Sequence, residues 1–436
     1  MKNPTLSNFT YLILDKLGKF LLTAGTVALM ARYLGPELIG KLNYTSAYAG
    51  LLGFFVVQGL DQFVVRELLR SPNKKSEILA GSFLIKAGGS LLILLLSLLI
   101  WAFSIFSAEL SFLIFLFSFA FIANSFDFID IWFQSQSLNK LSLISRQSGV
   151  LISCLFRVGM VFAHMPIWVF AFAQILESFC YAAIQIYIFR KRFSLELPLR
   201  QSFDSASQIL KKGWPLIASS FLVLFYSSFG QLLLGNREKF ADLGLFASSN
   251  RVLEYVSIFP MALSTAIFPW LAKSYLNYAE EFSAARKEIE IFLGAVNCLA
   301  WIGTLAVFFL SKPIIALLFG AKFSGSVPLL QILCWSIPPI FFSVIRHAWL
   351  TIHGRLEAAL RFECIVTVLN LVLNTILITK FSANGAAFAS LITAYAANIV
   401  AGIFILPIRD SIYLYVRGLR AFALFGTDRI LRQVRR

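Results

Sequence analysis

Charge is scarce in this chain. Asp, Glu, Lys and Arg make up 14 % of its 436 residues and there are only three histidines, whereas a soluble domain carries about 25 % charge to cover its surface. A soluble globular fold is therefore excluded. Its five cysteines, Cys154, Cys180, Cys298, Cys334 and Cys364, all fall within apolar stretches and form no CxxC pair, so neither a disulfide framework nor a zinc site is read. The sequence also lacks HExxH, GxSxG and GxxxxGK[ST], and with them a recognisable metal site, catalytic centre or phosphate-cradling loop. Nothing in it asks for a cofactor or points to an enzyme. No ten-residue polar/apolar alternation occurs, which argues against a transmembrane barrel.

What is present is apolar. Hydrophobic residues make up 58 % of the chain and the mean hydropathy is +0.79. A run of about 20 apolar residues crosses the hydrocarbon core as a helix. Twelve such runs are read, at residues 13–34, 42–60, 78–103, 111–134, 142–163, 166–189, 213–235, 244–271, 289–311, 326–351, 358–379 and 384–406. The expected fold is an all-α polytopic membrane protein. The first run is long, and the turn after it, Arg32 to Pro36, lacks a small-x-small cleavage pattern, so it is expected to stay as a helix and not to be removed as a signal peptide.

Of the 38 Lys and Arg residues, only Arg32, Lys41, Arg237, Lys239, Lys312, Lys322 and Lys380 fall in odd-numbered loops. Positive charge is retained on the cytoplasmic side, which places both termini there. The net charge of +16 is then topology and contact with anionic lipid, not nucleic-acid binding. The tail from Arg409 to Arg436 reads as a basic amphipathic segment on the inner leaflet.

The chain also repeats itself. Ile13-Leu-Asp-Lys16, a helix, Leu34-Gly35, a polar turn and Gly40 are matched by Ile209-Leu-Lys-Lys212, a helix, Leu234-Gly235, a turn and Gly244. Trp132 to Arg146 and Trp349 to Arg361 share a second feature order. The expected organisation is a six-helix lobe at 1–190, a linker at 191–212, a second six-helix lobe at 213–406 and a tail at 407–436. Parallel repeats of this kind place the substrate between them and work by alternating access.

Four cations, Lys86, Arg157, Arg251 and Arg346, lie inside the runs. A charge at the bilayer centre costs roughly 2.5 to 3.5 kcal/mol on insertion scales, so it faces protein or a watery cavity. Each is either a ligand for an anionic cargo or a structural charge paired within the bundle. Arg157 is deepest, and Arg346 is near enough to an end to snorkel. Glu254 follows Arg251 at i+3 and Glu177 in the sixth run is placed to pair with Arg157; either acid could serve as an ion pair or a coupling group. Asp127 and Asp130 share a face near the inner end of the fourth run and read as a gate or as partners of Arg346 and His347. Lys16 and Lys19 stand at the inner mouth, where an anion would first be captured.

Ala31-Arg-Tyr-Leu-Gly-Pro-Glu-Leu-Ile-Gly40, Gly59-Leu-Asp61 and Val65-Arg-Glu67, then Lys211-Lys-Gly-Trp-Pro215, Leu318-Phe-Gly-Ala-Lys322 and Asn384-Gly-Ala-Ala387 resemble, in order and spacing, the polysaccharide exporters related to the O-antigen flippase Wzx. The resemblance covers essentially the whole chain. It implies the two-lobe, V-shaped fold shared with MATE antiporters and lipid II flippases, although the latter usually carry two further helices. It also implies movement of an undecaprenyl-pyrophosphate-linked oligosaccharide to the outer leaflet of a bacterial inner membrane, for O-antigen, capsule or exopolysaccharide. Such a protein works among membrane lipids as a monomer, with H⁺ or Na⁺ coupling or the membrane potential alone, by itself or beside a polysaccharide polymerase. The rival readings are a MATE-like cation-coupled drug antiporter, which would need an acidic pocket, and a membrane polymerase or ligase, which would need a long outer loop. Every outer loop read here has about 15 residues or fewer.

Overall fold

The computed structural model describes the backbone at residues 4–56, 58–193, 198, 202–277, 282–352, 356–405, 409, 412, 413 and 417. The basic tail read from the sequence lies almost entirely outside these residues. Among the described residues the regular structure is helical, with no strand. The helices are α1 Pro4–Leu52, α2 Asp61–Arg70, α3 Lys75–Ala102, α4 Ala108–Phe119, α5 Phe128–Ser135, α6 Asn139–Phe162, α7 Ile167–Arg192, α8 Phe203–Gly235, α9 Phe240–Asn277, α10 Phe282–Leu318, α11 Ser326–Leu333, α12 Ile337–Ile352 and α13 Leu356–Phe404. Nine helical stretches among the described residues are long and apolar enough to cross a bilayer.

Two of these long helices each carry two of the apolar runs. α1 breaks at Gly35, whose φ of 76° and ψ of 176° suit glycine because it has no Cβ, and Pro36 follows, a residue suited to opening a new helix. α13 breaks at Ser382, with φ 51° and ψ −127°. Runs four and ten break as well, through 3₁₀ segments at Ala120–Asp127 and Cys334–Ser336. The 3₁₀ break in run four thus has a counterpart in run ten.

The faces of α3 show which solvent the fold is built for. Ser82, Lys86, Ser90, Ile93 and Ser97 are buried, while Leu91, Leu95, Leu98 and Leu99 are exposed. At helical spacing this is an amphipathic pattern with its polar side inward, the reverse of a surface helix in water and the arrangement that lipid demands.

The chain divides into two compact units, Met1–Gly244 with Leu318–Lys322, and Leu245–Leu317 with Phe323–Arg436. In the first, α8 packs on α1 and α3. The repeat-matched glycines meet here: a Cβ on Gly40 would stand 1.8 Å from the Phe240 carbonyl oxygen, and one on Gly244 would stand 1.9 Å from that of Pro36. Tyr44, whose ring edge lies against Gly235, donates a 2.5 Å hydrogen bond from its hydroxyl to Asn236. In the second unit, α11 is tied to α9 by hydrogen bonds from Ser249 to the Ser326 carbonyl and from Ser326 to the Leu245 carbonyl, both 2.9 Å.

Because the atoms facing Gly40 and Gly244 are backbone and have little room to yield, Gly40→Ala and Gly244→Ala should each destabilise by about 1–3 kcal/mol. Gly88, with nothing within 4 Å, should gain up to about 1 kcal/mol from alanine's higher helix propensity. Thermal unfolding of the three variants in detergent would show the first two melting below wild type and Gly88→Ala at or above it.

Candidate functional site

Arg157 sits on α6, which is held against α7 by a 3.0 Å hydrogen bond from Ser153 to the Ala173 carbonyl. One turn beyond Ser153, the Arg157 guanidinium reaches two α7 residues on a single i,i+3 face. Its Nη2 lies 3.5 Å from Gln174 Oε1 and 3.5 Å from Glu177 Oε2. Lys19 of α1 approaches the same carboxylate from the other side, with Nζ 4.0 Å from Oε1. Arg157 and Glu177 are mostly buried, whereas Lys19 is 54 % exposed. The pairing of Arg157 with Glu177 raised from the sequence is thus present, and Lys19, placed only at an entrance by the sequence, joins it. Among the described side chains two cations share one carboxylate, a local charge of +1.

Lys86 has the opposite surroundings. Its side chain is 3 % exposed, and Nζ lies 2.8 Å from Asp61 Oδ1 and 3.7 Å from Asp127 Oδ2. Three local features build this cluster. Gly89 lets α3 press against the chain at Phe55, where a Cβ would fall 1.9 Å from the carbonyl oxygen. The 3₁₀ segment carrying Asp127 is fastened to α3 by Ser90, which donates to the Phe121 carbonyl at 2.8 Å and accepts from Ser125 at 3.1 Å. Asp61 opens α2 and so projects from a helix N-terminus. Next to them, Asp130 Oδ2 accepts from Arg146 at 3.1 Å and from Gln134 at 2.8 Å.

These pairings correct the reading in which Asp127 and Asp130 partner Arg346 and His347. Both acids find cations in their own unit, because the 3₁₀ break turns Asp127 toward α3 and α5 presents Asp130 to α6. The sequence reading missed Asp61 and Arg146 as members of this cluster. Their signal was present as an aspartate and an arginine at the ends of apolar runs, where a charge is ordinarily taken as solvated.

In the second unit, Arg251 Nη1 lies 3.1 Å from Glu254 Oε2, and both side chains are about half exposed, so this i,i+3 pair neutralises itself. Arg346 does not snorkel. It is 4 % exposed, with its guanidinium carbon 3.6 Å from the centre of the Phe362 ring and 5.4 Å from that of Phe342, and it donates to Asn398. Stacking on aromatic faces suits the planar, weakly hydrated guanidinium. The side chains of Lys16 and His347 lie outside the described residues. No group of three or more His, Cys, Asp or Glu able to hold a metal ion occurs among the described residues.

Comparison with known proteins agrees with this architecture. The family model described as "Polysaccharide biosynthesis protein" matches residues 5–275, and the MatE model matches residues 215–376. The capsular polysaccharide biosynthesis protein CapF of Staphylococcus aureus is 23 % identical over 402 residues, spanning 90 % of this chain and 97 % of CapF. Among solved structures, the lipid II flippase MurJ in an inward closed conformation superposes with a TM-score of 0.71 at 14 % identity, over 97 % of this chain and 99 % of that one. An inward-facing multidrug resistance MATE family transporter of the MOP superfamily gives 0.70 at 15 % identity, over 91 % and 95 %. The fold is that of these multi-pass transporters, and with a family model covering more than half of its length, the chain belongs to the polysaccharide biosynthesis protein family.

Proposed function

We propose that this protein is a flippase that carries an undecaprenyl-pyrophosphate-linked oligosaccharide from the inner to the outer leaflet of a bacterial inner membrane, for a cell-surface polysaccharide. The observation that carries the reading is the Arg157–Lys19–Glu177 cluster, where two cations share one carboxylate inside a membrane helix bundle. Its net positive charge suits a pyrophosphate, because guanidinium makes bidentate bonds to phosphate oxygens and ammonium adds a compact charge. Glu177 occupies the cations in the absence of cargo and is displaced by it. Lys86, sequestered between Asp61 and Asp127, is assigned to the bundle and not to the cargo, and Arg251 and Arg346 have neighbours of their own.

The family assignment and the capsular polysaccharide relative support the substrate class, and the transporter fold supports movement by alternating access between lobes 1–190 and 213–406. The distribution of Lys and Arg supports a cytoplasmic position for both termini. Moving negative charge outward across an inside-negative membrane is downhill by roughly 2.3 kcal/mol per charge per 100 mV, so the potential itself favours export. The prenyl tail stays in lipid while the headgroup crosses.

Binding of undecaprenyl pyrophosphate to the purified protein tests this directly. Arg157→Ala should weaken binding about tenfold or more, the worth of one charge-assisted hydrogen bond. Glu177→Gln should tighten it several-fold at low salt, since it removes the competing anion. A wild type that ignores the polyprenyl pyrophosphate yet binds an organic cation such as ethidium, with affinity lost in Glu177→Gln, would replace this reading with that of a drug antiporter.

A further inference from the structure

Tryptophan belongs at the ends of a membrane span, where its N–H edge meets water. Trp101 and Trp168 follow this rule, each exposed and one residue inside the end of its helix, α3 and α7 respectively. Trp335 does not. It is the midpoint of the apolar stretch Ser326–Val344, about 14 Å from either end at roughly 1.5 Å per residue. Its ring centroid lies 6.2 Å from that of Trp301 and 6.0 Å from that of Phe308, both on α10. Tyr395 of α13 donates a 2.9 Å hydrogen bond to the Trp335 carbonyl, which fixes the 3₁₀ segment from which the indole projects. Both indoles are exposed, and neither indole N–H donates a hydrogen bond among the described residues. Beside them, Ile302 and Leu305 on α10 and Ile392 and Ile399 on α13 are exposed as well, so the patch faces hydrocarbon.

We propose that this aromatic patch of the second unit binds the polyisoprenoid chain of the cargo, an inference that rests on the substrate proposed above. An N–H carried into hydrocarbon gains from any acceptor within reach. A saturated acyl chain offers none, whereas a polyisoprenoid has a carbon–carbon double bond in every isoprene unit, each a weak π acceptor for an N–H. Its methyl branches also lie against the faces of the indoles and of Phe308. A sugar is a poorer occupant, because the flanking isoleucines and leucine give its hydroxyls no partner. An apolar helix of a second copy would likewise leave both N–H groups unmet. Binding the tail selects a polyprenyl lipid from the surrounding phospholipid and keeps it at the protein while its headgroup is captured elsewhere.

Undecaprenol, which has the tail but neither pyrophosphate nor sugar, is the probe. With the full-length protein in nanodiscs of saturated phospholipid, wild type should bind radiolabelled undecaprenol about fivefold more tightly than its fully hydrogenated analogue, the worth of two weak N–H···π contacts. Trp301→Leu and Trp335→Leu should each lose most of that preference, whereas Trp101→Leu should keep it. Trp301 projects from a regular helix, so Trp301→Leu, checked by thermal unfolding, decides the matter even where Trp335→Leu fails to fold. Equal binding of the two polyprenols by wild type, a full preference in folded Trp301→Leu, or a stable dimer lost in that variant would overturn the proposal. Because the probe carries no pyrophosphate, its outcome is separate from that of the binding experiment on Arg157.

Discussion

A charge carried into hydrocarbon has to be met by another group, and that demand organises both units. Lys86 is clasped by two aspartates, Arg157 by a glutamate and a glutamine, and Arg346 by two phenylalanine rings and an asparagine. Each solution fixes helices against one another. The Lys86 cluster joins α2, α3 and the 3₁₀ segment before α5, and the Arg157 cluster joins α1, α6 and α7. In water such pairs contribute little. In a bundle surrounded by lipid, removing one partner strands the other, so these contacts specify which helices are neighbours.

The clusters differ in what they leave over. Around Glu177 the balance is positive and partly open through Lys19, which suits an anionic headgroup. Around Lys86 two carboxylates hold one buried ammonium.

Much of the fold was legible because hydrocarbon imposes a simple rule, that backbone polar groups must be satisfied within a helix. Length and hydropathy therefore marked the spans, and the duplication in Gly40 and Gly244 marked a real contact between backbones. The breaks were less legible. Gly35-Pro36 is a recognisable stop, but Ser382 and the 3₁₀ turn at Ala120–Asp127 depend on tertiary packing that no local signal encodes. For the same reason Arg157–Glu177 could be anticipated as a pair of opposite charges in adjacent runs, whereas the partners of Asp127 and Asp130 could not. The tighter winding of the 3₁₀ segment, about 3.0 residues per turn, decides which helix an aspartate faces. Asp61 and Arg146 were passed over because charges at the ends of spans ordinarily face water.

The central claim is transbilayer movement of a pyrophosphate-linked sugar. It is measured most directly in liposomes containing the purified protein, by following how fast a labelled undecaprenyl-pyrophosphate oligosaccharide in one leaflet becomes accessible to a membrane-impermeant reagent on the other side. The account predicts exchange in minutes that depends on the protein and is faster when the potential is negative on the side from which the headgroup leaves. Accessibility no faster than in protein-free liposomes, for any polyprenyl-pyrophosphate sugar and at any potential, would contradict it.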